Sequence, residues 1–165
     1  MKKSKLTALL LAAVMSVGMF TACGKGGSDD TIKLGILCSL TGNSQTNGGY
    51  AQQGAKMAVE EINAGGINGK QIELVIEDDG GKADTAINAY NKLQSQKVVA
   101  IVGPMLSSLA LAMDQNVQTG KIPLLIGATS AALTDNIDNP YFHRLRCSDT
   151  IMAEVAASYA VSNYG

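Results

Sequence analysis

From residue 31 onward, apolar residues fall into short dense runs, separated by longer stretches in which they recur every three or four positions. The runs are 32–38 (IKLGILC), 71–78 (QIELVIED), 98–102 (VVAIV) and 123–127 (PLLIG). Each is rich in Ile, Val or Leu and bounded by turn residues, which predicts strands. Between the first two, Ala51, Ala55, Ala58, Val59 and Ile62 stand at helical spacing, and Ala-Gly-Gly supplies a stop. Ala83, Ala86, Ile87, Tyr90 and Leu93 repeat the period, as do Leu106, Leu109, Ala110, Met113 and Val117. Residues 141–147 (YFHRLRC) read as a fifth, more polar strand. Residues 148–164 then open like a capped helix, with Ile151, Val155, Ala156 and Tyr159 at helical spacing.

Strict alternation of strand and helix predicts parallel βαβ units, hence a doubly wound α/β fold with helices on both faces of the sheet. In such sheets ligands bind beyond the carboxyl ends of the strands, at the switch point of the topology. That rule singles out the loops 39–48, 79–82, 103–108 and 127–140. The third of these holds Ser107 and Ser108, where a buried strand hands over to a helix. Two roles are open to them: capping the helix, or helping its N-terminus hold an anion.

The first thirty residues have a different character. Lys2, Lys3 and Lys5 precede an apolar run from Leu6 to Phe20. The run is too short for an ordinary spanning helix and suits an export signal. Phe20-Thr21-Ala22-Cys23 resembles the lipobox of bacterial lipoproteins, with Phe20 where Leu is usual. The resemblance implies that Cys23 is acylated and becomes the first mature residue, anchoring the protein to the outer face of the cytoplasmic membrane. An ordinary secretory signal, with Cys23 merely nearby, is the alternative. Gly, Ser and charge in residues 24–30 make a flexible tether. The expected organisation is therefore a signal peptide over 1–22, a tether over 23–30 and a folded lobe over 31–165.

Three of the 13 basic side chains and none of the 14 acidic ones lie in residues 1–22, so the mature chain carries a net charge of about −4. With no basic patch, nucleic acid is a poor partner. The first strand-helix turn lacks G-x-G-x-x-G, and no G-x-x-x-x-G-K-[ST] occurs, which argues against nucleotide binding. His143 is the sole histidine, no metal-ligand cluster stands out and no cofactor is expected. Ser107 has neither a base beside it nor a G-x-S-x-G elbow, so an enzyme is not expected. Glu77, Asp78 and Asp79 read as a solvated, turn-capping acidic edge, with a cation site or an acid/base pair as the alternatives. Cys38 and Cys147 read as buried free thiols, with a disulfide between them as the alternative.

AVEEINAGGINGKQIELVIEDD (58–79) is similar to the helix-turn-strand signature of the leucine/isoleucine/valine-binding proteins, the type I substrate-binding proteins of branched-chain amino-acid ABC transporters. The similarity extends through 32–42, 102–108, 123–135 and 142–149. It implies the N-terminal portion of a two-lobed clamp whose second lobe is largely absent from this chain, and a receptor that delivers a small amino acid, branched-chain above all, to an ABC permease. A ligand-sensing domain coupled to a signalling partner is the alternative. By the same resemblance, Ser107 with nearby backbone N–H groups holds the ligand carboxylate, while Thr129 and the carbonyl of Gly127 help hold the ammonium. Ser108 and Met105 belong to the same ligand-binding set, as does Asn47, which stands where some members carry an aromatic and so points to a more polar substrate. Gly81 and Leu106 occupy the positions of a disulfide found in some members.

Overall fold

A computed structural model describes residues 31–135 and 138–165. The expected signal segment, the tether and Cys23 lie outside the described residues. The strands are β1 (Thr31–Cys38), β2 (Gln71–Asp78), β3 (Ala100–Val102), β4 (Leu124–Ile126) and β5 (Phe142–Arg144). The helices are α1 (Gln45–Asn63), α2 (Ala83–Ser95), α3 (Ser107–Gly120), α4 (Ala132–Asp135) and α5 (Asp149–Tyr164). All strand pairings are parallel and the order across the sheet is β2-β1-β3-β4-β5. From β1 in the interior of the sheet the described chain winds outward to β2, and returns past β1 to β3. This is the reversal expected of a doubly wound fold.

Side chains alternate across the sheet. Leu37 of β1, Val75 of β2 and Ile101 of β3 point to one face, where they meet Tyr90 and Leu93 of α2 and Met113 and Val117 of α3. These residues form the sealed core, and most of them are inaccessible to solvent. Leu34, Ile36, Leu74 and Val102 point to the opposite face, under α1. There an apolar groove of about 330 Å3 remains between helix and sheet, and Ile62 of α1 stays 39% exposed. One helix covers this face less completely than two cover the other.

The Asn-Ala-Gly-Gly-Ile-Asn-Gly segment has a structural explanation. Asn63, at the end of α1, donates through Nδ2 to the Ile72 carbonyl at 2.9 Å and accepts the Ile72 N–H at 2.7 Å. Because β2 is an edge strand, these two bonds occupy backbone groups that no neighbouring strand can reach. Ile67 and Lys70 then exchange backbone hydrogen bonds of 2.8 and 2.9 Å around Asn68-Gly69. Asn68 has φ 52° and Gly69 φ 79°, the left-handed pair that a tight two-residue turn requires.

The expected strand ends shorten on folding. Val98 and Val99 precede β3, and the predicted fifth strand contracts to three residues, so residues 145–148 form a loop. Asn47 lies in the first turn of α1 instead of a loop, and a short helix, α4, interrupts the segment after β4. The helix expected over 148–164 forms, capped by Ser148, whose Oγ accepts the Ile151 N–H at 3.3 Å. Its apolar residues do not form a buried face: Ile151, Val155 and Tyr159 are all exposed, and no residue of α5 is buried. Among the described residues, no helix is long and apolar enough to cross a membrane.

Candidate functional site

The loops that leave the carboxyl ends of β1, β3, β4 and β5 meet at one edge of the sheet. The start of α1 is held there by close approach, since a side chain at Gly48 would run into the carbonyl oxygen of Ser39. Ser44 precedes α1 without forming a side-chain cap. A cavity of about 400 Å3 lies at this junction, with Ser39, Ser44, Asn47, Met105, Leu106 and Arg146 among its walls.

Beside it, the acidic segment braces the loops. Asp78 Oδ1 accepts the N–H groups of Leu40 and Gly80, each at 2.8 Å, and Oδ2 accepts the Thr41 hydroxyl at 2.6 Å. Burial pushes the Asp78 pKa up, but the Thr41 hydroxyl and the N–H groups of Gly80, Leu40 and Thr41 outweigh it and leave the carboxyl below its ordinary value. Asp79 Oδ1 accepts the Ser39 hydroxyl at 2.5 Å and the Gly81 N–H at 2.9 Å. Asp79 is fully buried, which corrects the expectation of a solvated acidic edge at that residue: Asp79 holds its turn from inside, whereas Asp78 holds one while partly exposed. Glu77 instead pairs with Lys92 at 3.4 Å. Among the described residues, no three His, Cys, Asp or Glu side chains gather as a metal site would need.

The two described cysteines are free, but they differ in environment: Cys38 is buried and Cys147 is exposed, against the expectation that both are buried. Burial, followed by the charges of Asp79 and Asp78, raises the Cys38 pKa to about 11. That thiol remains protonated and unreactive at neutral pH.

Ser107 is the first residue of α3, and the position before it is taken by Leu106 in extended conformation, with no side-chain cap. Capping therefore does not account for Ser107, and Ser108 does not take the role either. The Ser107 Oγ accepts the Ser130 N–H at 3.2 Å, tying the loop after β3 to the loop after β4. A hydroxyl that accepts there keeps its own proton to donate. Gly127 is buried and lies directly against the Met105 thioether, and its N–H donates to the Pro104 carbonyl at 3.2 Å. Thr129 is half-buried, with its carbonyl accepting the Asp149 N–H at 2.9 Å.

Ser107, Met105, Gly127 and Thr129 thus come together on two neighbouring loops, and Asn47 joins Met105 across the cavity. Ser108 is exposed, one position further along α3.

Two arginines shape this edge of the sheet without a local signal in the sequence. Arg144, at the end of β5, donates to the carbonyls of Ser130 at 2.9 Å and Ala128 at 3.4 Å, which holds the loop containing Thr129 in place. Arg146 lines the cavity. Extending the fifth strand through Cys147 hid Arg146 among strand residues, whereas ending it at Arg144 places Arg146 on a loop at the carboxyl edge. Ser39 was overlooked because its partner, Asp79, is 40 residues away in sequence.

A profile described as "Periplasmic binding protein" matches residues 31–165. The Leu/Ile/Val-binding protein BraC3 of Rhizobium johnstonii is 33% identical over 136 residues, covering 81% of this chain and 36% of the relative. The leucine-, isoleucine-, valine-, threonine-, and alanine-binding protein of Pseudomonas aeruginosa is 31% identical over 166 residues, covering 99% of this chain and 44% of the relative. The chain therefore spans less than half the length of these relatives. Among solved structures, the branched-chain amino acid transporter substrate binding protein LivJ from Streptococcus pneumoniae, in complex with isoleucine, superposes with a TM-score of 0.72 at 34% identity. That match covers 81% of this chain and 38% of the other.

Proposed function

The chain belongs to the periplasmic binding protein family, a family of binding proteins and not of enzymes, and on that premise we propose that it captures a small amino acid outside the cytoplasm and delivers it to an ABC permease. The observation that carries this reading is the junction of the loops after β3 and β4. There the Ser130 N–H fixes the Ser107 oxygen, and the hydroxyl proton is left to meet a carboxylate at the start of α3. The partial positive charge of a helix N-terminus and its free N–H groups favour the same anion. Thr129, with its neutral hydroxyl, and the Gly127 carbonyl are suited to the ammonium.

In this reading the described lobe forms one wall of the cleft. A second lobe, of the size that the relatives' greater length provides, closes over the ligand and buries most of its surface. Cys23 carries the lipid that keeps the receptor at the membrane, and the names of the relatives make branched-chain amino acids the first candidates.

Calorimetric titration of the full-length protein with a panel of small L-amino acids and their carboxamides tests the proposal. The expected result is saturable binding of at least one amino acid, with its amide bound at least 10-fold more weakly because the charge-assisted bonds to the carboxylate are lost. Equal binding of acid and amide, or binding of neither, would overturn it.

A further inference from the structure

The cavity beside Ser107 differs in chemistry from a pocket made for a branched aliphatic side chain. Met105, Leu106 and Ala51 supply apolar surface, but Asn47, Ser39, Ser44 and Arg146 line the same space. Arg146 is the single charged residue among the described lining residues, and no ion pair within 4 Å joins it to a described carboxylate. Among the described residues the ion pairs are Lys33 with Glu73 and Lys92 with Glu77.

Asp78 receives four hydrogen bonds from the loop after β1 and from Gly80. Asp79 engages Ser39 and Gly81 through Oδ1 alone, and its Oδ2 is buried without a hydrogen-bond partner, closed off from solvent and forming no ion pair with Arg146. Ser39 donates its proton to Asp79, so it offers the cavity only lone pairs, whereas the Asn47 amide can both donate and accept.

A guanidinium presents a planar fork of donors that matches a carboxylate in two-point fashion. Because Met105 and Leu106 run directly into Ser107, a ligand whose α-carboxylate sits at the start of α3 has this cavity beside it for its side chain. A leucine side chain would desolvate Arg146 and Asn47 without replacing their water, which is unfavourable. A side chain ending in a carboxylate would pair with the guanidinium while its methylenes lie on Met105 and Leu106. We propose that Arg146 makes the cleft selective for amino acids bearing a second acidic group, glutamate being the simplest probe, over branched-chain ones. This rests on the reading of Ser107 as the α-carboxylate site.

The test is calorimetric titration of the full-length protein and its Arg146→Met and Ser107→Ala variants with L-glutamate and L-leucine. Arg146 is exposed, so the methionine variant should retain its fold, which a thermal melt without ligand verifies. Glutamate should bind the unaltered protein more tightly than leucine, and Arg146→Met should lower the ratio of glutamate to leucine affinity by about 10-fold to 100-fold. Ser107→Ala should weaken both ligands by similar factors, because both carry the α-carboxylate. Leucine binding more tightly than glutamate, or a ratio unmoved by Arg146→Met, overturns the selectivity while leaving the receptor reading intact if Ser107→Ala still weakens binding. Failure of every amino acid to bind overturns both.

Discussion

Replacing Ser107 by alanine separates a ligand-binding role from a purely structural one, because the side chain has a measurable task in each. In the unliganded lobe its Oγ accepts one hydrogen bond, from the half-buried Ser130 N–H at 3.2 Å. Losing a neutral bond of that length costs about 0.5 to 1.5 kcal/mol of stability. Under the proposed carboxylate role the same hydroxyl would donate to the ligand, and a charge-assisted bond contributes about 1.5 to 3 kcal/mol, or roughly 10-fold to 150-fold in affinity. Backbone donors at the start of α3 remain, so binding weakens without vanishing.

The assay is a paired one: the unfolding midpoint without ligand, and the dissociation constant for the tightest-binding amino acid and for its carboxamide, both on full-length protein. Ser107→Ala should lower the midpoint slightly and weaken the acid far more than the amide, since the amide carries no negative charge for the hydroxyl to meet. An affinity unchanged for the acid, or equal losses for acid and amide, would refute the carboxylate assignment. A large fall in stability with unchanged affinity would show that Ser107 serves only to join the loops after β3 and β4.

Two further outcomes are expected. Asn63→Ala removes both bonds to Ile72 and leaves that stretch of the β2 edge unpaired, so the free energy of unfolding in urea should fall by about 1 to 3 kcal/mol; an unchanged midpoint would mean that water replaces Asn63 without cost. Cys23→Ser should move the protein from the membrane fraction to the soluble exported fraction, because serine has no thiol to carry the lipid and stable anchoring takes more than one acyl chain; retention in the membrane would count against lipidation at Cys23.

Much of this architecture was legible in the chain because its signals are local. The alternation of β-rich runs with stretches of helical period predicts five strands, the helices between the first four and the helix after the fifth, and parallel pairing follows from that alternation; the short α4 after β4 is not foreshadowed. The hand-over at Ser107 was readable for the same reason, as a hydrophobic strand, a turn and a helical period lie within a dozen residues. The signature over 58–79 was legible as a pattern, but its cause was not. Only the fold shows Asn63 occupying the free edge of β2.

What the tertiary structure decided depends on groups far apart in sequence. Three-residue strands such as β3 and β4 are bounded by pairing with neighbours, not by where hydrophobic residues stop. Apolar spacing in α5 predicts a helix but cannot supply a surface for it to pack on, so Ile151 and Val155 remain in solvent. Asp79 looks like any acidic turn residue until β1 and β2 pair in register and bring Ser39 onto its carboxylate. Arg146 acquires a role in the same way: the order β2-β1-β3-β4-β5 brings the loop after the last strand to the cavity that Asn47 and Met105 also line. Periodicity in a sequence records which way each residue faces, whereas the chemistry of a cleft is set by which distant loops the sheet order makes neighbours.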